Sequence, residues 1–225
     1  MKALVISPHP DDEALGCAGT LLRHKDQGDE VYWLIMTKIS KELGYEEEKV
    51  EKRSKEIQRV SDKLGVNELF TTDYLTTKLD TYSIGDITSR ISDVVGEVNP
   101  QRVYLPNRYD IHTDHEVVFR AAISALKFFR HPEVEEILMY ETISETEFGA
   151  FSPDRIFWAN YFVDITDFME DKIQVASIYE SELGEHPFPR SEKHLRALAT
   201  ARGAEAGVEY AESFQLIKKI EKKSG

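Results

Sequence analysis

The sequence predicts a single α/β domain in which helices cover both faces of a mostly parallel β-sheet. Short β-branched runs alternate with amphipathic stretches along the chain, and this alternation is typical of such a sheet. The 225 residues, of which 41% are hydrophobic, are enough to bury one core without disulfides. The sequence contains no internal repeat and no long linker rich in proline, glycine or serine, so we expect residues 1–225 to form one domain.

Six short apolar runs are predicted to be the strands of this sheet, because their length and their β-branched residues favour extended structure. In chain order they are Lys2–Ser7, Glu30–Thr37, Glu68–Thr72, Arg102–Pro106, Glu136–Thr142 and Tyr161–Ile165. The stretches between them are largely helical in pattern, which favours parallel pairing of successive strands. The expected architecture is therefore Rossmann-like.

Two connecting stretches have the apolar periodicity of helices. The charged stretch 46–63 is predicted to be a solvated helix. Its predicted buried side consists of Val50, Ile57, Val60 and Leu64. Ser83 and Asp86 have the spacing of a capping box at the start of a second helix. The apolar residues of that helix are Ile84, Ile87, Ile91, Val94, Val95 and Val98. Segment 166–225 is predicted to be helical to its end and to complete the same domain.

Composition and charge exclude several classes of protein. The formal net charge of -13 disfavours nonspecific binding to nucleic acid. Cys17 is the only cysteine and cannot form an intramolecular disulfide. No window of the sequence approaches the ~20 apolar residues of a membrane span, and the first residues form a strand-like run without the apolar core of a signal peptide. We therefore expect a cytoplasmic protein with no nucleic-acid partner.

The loop after the first predicted strand carries several groups that suit a reactive site. In an open α/β sheet, ligands bind beyond the carboxyl ends of the strands. Here His9 lies between two prolines and is followed by Asp11 and Asp12. Carboxylates at the start of a helix are often structural caps. A histidine held between prolines has no such explanation, so this loop is a candidate metal or catalytic site.

A second loop, after the strand Arg102–Pro106, repeats these residue types. His112 and His115 are three positions apart and would face the same space in a first helical turn. Asp110 and Asp114 alternate with them, and an aspartate beside a ligating histidine can fix its tautomer. The two loops together predict a metal site.

The residue types favour zinc. Two imidazoles and one carboxylate, without a group of thiolates, suit an open catalytic Zn²⁺ site. Non-haem iron accepts the same ligands, but such sites usually lie in β-barrel folds, which this pattern does not predict. Zn²⁺ lowers the pKa of a water to roughly 7, and a spare carboxylate can take the proton. Spacing alone does not decide between Asp11 and Asp12, or between His112 and His115.

These motifs resemble the paired signatures of a known family. The turn at residues 9–13, His-Pro-Asp-Asp-Glu, and the loop at 112–115, His-Thr-Asp-His, are similar to those of the PIG-L/LmbE-like zinc-dependent N-acetylglucosaminyl deacetylases. Residues 53–56 resemble the Arg-x-x-Glu helix of that family, and residues 207–214 resemble its C-terminal segment. The resemblance thus extends over nearly the whole chain, and the two histidine loops are its specific part.

The resemblance implies a division of roles at the predicted centre. It implies that His9, Asp12 and His115 bind one Zn²⁺ per chain and that Asp11 is the general base. His112 would stabilise the oxyanion or protonate the leaving amine, a role that suits the charged imidazolium if Asp110 or Asp114 lies within hydrogen-bonding reach.

The resemblance implies smaller roles for two further residues. Asp114 would orient a histidine. Arg53 would reach toward the substrate, although a solvated charge on its helix explains it equally well. Thr113 stands where the family often has proline, which should affect the stiffness of the loop more than ligation.

The predicted function is a metal-dependent hydrolase that removes the acetyl group from an N-acetylated amino sugar or its glycoconjugate. One alternative is a zinc hydrolase of another acyl amide or of a carbamoyl substrate, because the loops determine the carbonyl chemistry and not the group that carries it. The other alternative is a non-catalytic sugar-binding module on the same fold. The expected partner is a small N-acetyl sugar or sugar conjugate, and the resemblance is compatible with a homo-oligomer.

Overall fold

The computed structural model describes residues 1–149 and 154–222, and these residues form a seven-stranded sheet. The strands are β1 (Lys2–Ser7), β2 (Glu30–Ile35), β3 (Glu68–Thr71), β4 (Arg102–Pro106), β5 (Glu136–Tyr140), β6 (Tyr161–Asp164) and β7 (Ala211–Lys219). Their order across the sheet is β3-β2-β1-β4-β5-β7-β6. The first five strands are mutually parallel, whereas β7 is antiparallel to both of its neighbours. The predicted α/β class with a mostly parallel sheet is confirmed.

Helices cover both faces of the sheet, as predicted. They are α1 (Asp12–Gly16), α2 (Ala18–Asp26), α3 (Glu47–Leu64), α4 (Ile84–Val98), α5 (Thr113–Ala125), α6 (Thr146–Gly149), α7 (Met169–Ala176) and α8 (Glu192–Ala206). Strand β1 shows how the alternation of side chains divides the core. Val5 packs with residues of α1, α2, α7 and α8, whereas Leu4 and Ile6 pack with residues of α4 and α5. The sheet therefore separates two apolar layers.

The chain places its loops where such a fold binds ligands. From β1 it builds outward through β2 to β3, and it then returns to place β4 on the other side of β1. The carboxyl ends of β1 and β4 thus flank the point at which the strand order reverses. The loops that follow these two strands are the two histidine loops.

The prediction that segment 166–225 is helical is wrong for its last part. Helices α7 and α8 form, but β7 is a strand inserted between β5 and β6. Its side chains alternate, since Phe214 and Leu216 belong to one core layer and the polar residues Ser213 and Gln215 occupy the alternate positions. That period of two is typical of a strand. Residues 223–225 lie outside the described residues.

Some details of the elements differ from the prediction, since β2, β3, β5 and β6 each end one or two residues early. Helix α4 begins after Ser83, but within the described chain the Ser83 side chain caps no amide, and its backbone oxygen accepts from the amides of Asp86 and Ile87 at 3.0 and 3.2 Å. The predicted side-chain contact of the capping box is therefore not formed. Strand β2 ends at Ile35 because Thr37 has turned toward the first loop, where its hydroxyl donates to the Pro8 oxygen at 2.8 Å. In the described residues, no helix combines the length and apolarity that a membrane crossing requires.

Candidate active site

The structure brings the two histidine loops together at the ends of β1 and β4. The ring centroids of His9 and His112 are 4.4 Å apart, and that of His115 lies 5.3 Å from His9 and 5.6 Å from His112. The first loop is anchored through its backbone, because the His9 amide donates to Asp12 Oδ2 at 2.8 Å and the Pro10 oxygen accepts from Arg53 Nη1 at 2.7 Å. Three imidazoles and several carboxylates therefore share one small volume.

His9, Asp12 and His115 form a group that fits a metal ion. One ligand atom of each lies within 4.8 Å of the others. His9 Nδ1 is 3.4 Å from Asp12 Oδ2, and His115 Nε2 is 3.3 Å from Asp12 Oδ1. His115 is fully buried, and its Nε2 has no hydrogen-bond partner among the described residues. A buried imidazole nitrogen left without a partner is costly unless it coordinates a cation.

A second group, His9, His112 and Asp114, has ligand atoms within the same distance of one another but differs in its hydrogen bonds. Asp114 Oδ2 bonds to His9 Nε2 at 3.0 Å and accepts from the Thr77 amide at 2.7 Å, while its Oδ1 accepts from the Leu79 amide at 3.2 Å. The oxygens of Asp114 are thus engaged in hydrogen bonds. The first group is therefore the better candidate for a metal site.

Each histidine of that first group is hydrogen-bonded to a carboxylate through one of its ring nitrogens. His115 Nδ1 bonds to Asp110 Oδ2 at 2.7 Å, as His9 Nε2 does to Asp114. Asp110 Oδ1 accepts in turn from Asn107 Nδ2 at 2.8 Å and from Thr146 Oγ1 at 2.7 Å. These contacts orient the imidazoles and leave His9 Nδ1 and His115 Nε2 for a metal.

We expect Asp110→Asn to weaken metal binding by roughly 10–100-fold, the usual cost of losing an outer partner of a ligating histidine. The amide occupies the same space but removes the negative charge that faces His115 Nδ1. Competition with a chelator of known affinity measures the change. Asp93→Asn, at an exposed position of α4, is the matched control. Equal metal affinity in the parent and in Asp110→Asn contradicts the assigned role.

Asp11 lies beside this group in an unusual conformation. Its φ is 146° in the left-handed half of backbone space, a strain of order 1–3 kcal/mol that surrounding contacts must maintain. The Asp11 amide donates to Glu13 Oε2 at 3.2 Å, and Asp11 Oδ2 accepts from Arg190 Nη1 at 2.9 Å. Burial, together with the neighbouring Asp12 carboxylate, raises the pKa of Asp11 to about 7. Such a carboxyl can exchange a proton near neutral pH.

His112 is held as a neutral imidazole. Its Nδ1 accepts from the Asp114 amide at 3.1 Å, so its proton resides on Nε2. Burial and the neighbouring His9 and His115 lower the pKa of His112 to about 4. A charged His112 was expected only if the carboxylate of Asp110 or Asp114 bonded to it, and in the structure these carboxylates bond to His115 and His9 instead.

Arg53 is not the solvated charge that its helix pattern suggests. It and Glu56 are buried on α3, and Arg53 Nε lies 3.1 Å from Glu56 Oε2. Its guanidinium stacks over the Tyr179 ring at 5.2 Å and also binds Glu182. The segment that follows α7 therefore covers Arg53 while most other charges of α3 stay exposed, and sequence periodicity did not indicate this contact.

The site opens into a cavity of about 220 Å³. Its wall includes His9, Asp11, Asp12, His112, Arg53, Tyr45 and three residues that sequence motifs did not indicate, Glu145, Glu182 and Arg190. The one available signal lies just before Arg190, where Pro187 and Pro189 bracket Phe188 as Pro8 and Pro10 bracket His9. A proline-stiffened loop leading into a helix is a common place for site residues.

Comparisons with known proteins agree with this geometry. The family model described as PIG-L, GlcNAc-PI de-N-acetylase, matches residues 4–126, which include both histidine loops. Diacetylchitobiose deacetylase of Thermococcus kodakarensis is 30% identical over 225 residues, covering 96% of this chain and 83% of the relative. The probable N-acetyl-alpha-D-glucosaminyl L-malate deacetylase 2 of Bacillus cereus is 27% identical over 146 residues, covering 61% of this chain and 65% of the relative.

A solved structure gives the same match in three dimensions. The N,N'-diacetylchitobiose deacetylase from Pyrococcus horikoshii is similar with a TM-score of 0.75 at 27% identity. The similarity covers 96% of this chain and 84% of that one. The likeness therefore includes β7 and the helices around it, and is not confined to the two loops.

Proposed function

The chain belongs to the PIG-L family, and from this membership we propose that it is a metal-dependent hydrolase that removes the acetyl group from an N-acetylated amino sugar, free or within a glycoconjugate. One observation supports the proposal most directly. Among the described residues, Nε2 of buried His115 has no hydrogen-bond partner and lies 3.3 Å from Asp12 Oδ1, while Asp11 lies on the same cavity wall as His9 and Asp12. This arrangement fits a metal centre with a spare carboxylate next to it, as metal-assisted hydrolysis of an amide requires.

His9, Asp12 and His115 would hold a divalent cation, and we propose Zn²⁺. Nitrogen and carboxylate ligands suit zinc, and three protein ligands leave room for water and substrate. When bound, such a cation polarises the acetyl carbonyl and lowers the pKa of water. Asp114 and Asp110 keep the two imidazoles in the required tautomers.

Asp11 is the proposed general base. It takes a proton from the water that attacks the acetyl carbon, and Arg190 together with the Glu13 contact keeps its carboxylate beside the metal group. The bond from oxygen to carbon forms, the bond from carbon to nitrogen breaks, and the proton passes to the leaving amine. The products are acetate and a free amino sugar.

His112 is the proposed donor to the oxyanion. Because Nδ1 accepts from the Asp114 amide, Nε2 carries the hydrogen that can reach the carbonyl oxygen as its charge develops. A neutral donor suffices for this role, and it keeps its proton over the working pH range.

We expect His112→Gln to retain its metal and to lose roughly 10²-fold or more in kcat, the cost of one oxyanion donor. Because the pKa of His112 is lowered to about 4, the imidazole does not lose charge on the alkaline side. The alkaline limb of kcat/KM against pH should therefore be the same in the parent and in the variant. Loss of that limb in His112→Gln would identify His112 as a titrating acid, and loss of metal would identify it as a ligand.

The reaction itself is tested by product release. The zinc-loaded protein is incubated with N-acetylated sugars and sugar conjugates, and acetate and free amine are followed together. We expect both products in equal amounts from at least one of these compounds. Parallel incubations contain other acyl amides and carbamoyl compounds. Turnover of those compounds alone, or binding of sugars without release of acetate, contradicts the proposal.

A further inference from the structure

The charges of the cavity wall are arranged in an uncommon way. Two guanidinium groups, those of Arg53 and Arg190, lie on the wall with four carboxylates. The carboxylates belong to Asp11, Asp12, Glu145 and Glu182. Arginines near a substrate site often bind phosphate or carboxylate groups of the ligand. Whether these two can do so depends on what their nitrogens already contact.

Arg190 uses all three of its nitrogens within the protein. Its Nη1 donates to Asp11 Oδ2 at 2.9 Å and to Glu182 Oε2 at 3.1 Å. Its Nη2 donates to Glu145 Oε1 at 3.1 Å, and its Nε donates to Ser144 Oγ at 2.7 Å. The guanidinium is thus surrounded by three carboxylates of this chain.

Arg53 is engaged to the same extent. Its Nη1 donates to the Pro10 oxygen at 2.7 Å, its Nε pairs with Glu56 at 3.1 Å, and its Nη2 binds Glu182. Glu182 therefore bridges the two arginines, with one carboxylate oxygen toward each. Every nitrogen of both guanidinium groups already has a partner within this chain, so an anionic group entering the cavity would compete with internal carboxylates for either guanidinium.

Resting on the proposed deacetylase function, we propose that this site selects uncharged N-acetylated saccharides over conjugates that carry a carboxylate or phosphate, and that Glu182 determines this selectivity. The carboxylates outnumber the guanidinium groups by two, which a divalent cation balances, so the loaded wall has no excess positive charge for an anion. A negative substituent would lose hydration and meet carboxylates instead.

The cavity wall also carries an aromatic side chain. Tyr45 is part of the wall. Aromatic rings offer apolar surface to the faces of a sugar that carry only C–H groups. This surface adds affinity that does not depend on charge.

The first test compares two substrates that differ in charge more than in shape. N-acetylglucosaminyl malate and its dimethyl ester are given to the zinc-loaded protein, with N,N'-diacetylchitobiose as an uncharged reference. We expect kcat/KM for the ester to exceed that for the dianion at least tenfold. Equal values, or a preference for the dianion, overturn the inference. If none of the three compounds releases acetate, the proposed function is contradicted instead.

The second test uses E182Q, which removes the charge that the two arginines share. We expect the ratio of kcat/KM for the dianion to that for the ester to rise about tenfold or more. The matched control is E180Q, since Glu180 undergoes the same change on the same segment but is exposed and paired with Lys52 outside the cavity. In E180Q the ratio should stay within a factor of two of the parent. A folded, metal-loaded E182Q with the parental ratio overturns the role of Glu182.

Ionic strength provides a measurement that needs no variant. If the carboxylates around the two guanidinium groups disfavour the dianion at short range, added salt should weaken that interaction, raise kcat/KM for the dianion and leave that for the ester unchanged. A parallel response of both substrates overturns the electrostatic account, even if E182Q does not fold.

Discussion

Asp11→Asn is expected to keep its metal and to lose about 10²–10⁴-fold in kcat, the range that a positioned base contributes. The amide fills the space of the carboxylate and can still contact Arg190, but it cannot accept a proton. Asp11 lies outside the group of atoms that would bind the cation, so its replacement should leave the ligands in place. The effect should therefore fall on kcat and not on metal content.

The adjacent Asp12 provides the comparison for this experiment. Asp12→Asn changes the same chemical group one residue further on, but it removes a carboxylate that faces both His9 and His115. Metal content and kcat are measured on both variants. If Asp11→Asn loses metal while Asp12→Asn retains it, the two roles are reversed. If Asp11→Asn turns over at the parental rate, the base is another residue.

Most helices and strands of the fold could be predicted from local sequence patterns, because the residues of each element define it. Strands β1 and β4 have the predicted bounds, and both are short apolar runs with a clear end. The loops after them could be identified because prolines, histidines and aspartates cluster there without a packing role. In this fold the carboxyl ends of neighbouring parallel strands lie at the same edge of the sheet. The loops that follow β1 and β4 were therefore expected to lie side by side.

Strand β7 was missed because its sequence alone does not specify a helix or a strand. The segment carries polar residues and two terminal lysines, and its buried side is only evident once β5 and β6 lie on either side of it. Pairing with distant strands decides such a segment more strongly than propensity does. The same holds for Arg53 and Glu56, which are buried by a segment more than a hundred residues away.

The wall residues Glu145, Glu182 and Arg190 could not be identified from spacing. Glu145 lies just before α6, whereas Glu182 and Arg190 lie on the connection between α7 and α8, and Arg190 joins both glutamates to Asp11 only in the folded chain. No short motif links residues so far apart in sequence. The catalytic chemistry was therefore predictable from two local loops, whereas the features that we propose for substrate selection depend on tertiary contacts.

Removal of a metal ligand should have the other large effect. We expect His9→Ala, Asp12→Ala and His115→Ala each to lose the metal that the parent carries at about one ion per chain. The loss in affinity should exceed the roughly 10–100-fold that an outer partner such as Asp110 contributes. Catalysis should fall to background, because both the attacking water and the carbonyl depend on the cation. Elemental analysis of the purified proteins measures metal content, and circular dichroism reports whether each variant is folded.

The three variants differ in how much they affect the stability of the fold as well as metal binding, and the test must separate these two effects. His115→Ala leaves the buried Asp110 carboxylate without its imidazole, so some of its effect would come from lost stability. His9 is less buried, and its partner Asp114 keeps the amides of Thr77 and Leu79, so His9→Ala should cost less stability. His131→Ala is the matched control, because His131 is also a buried histidine with a carboxylate partner, Glu133, but it lies outside both candidate metal groups. It should keep both its metal and its activity. Full occupancy in all three ligand variants would contradict the centre formed by His9, Asp12 and His115.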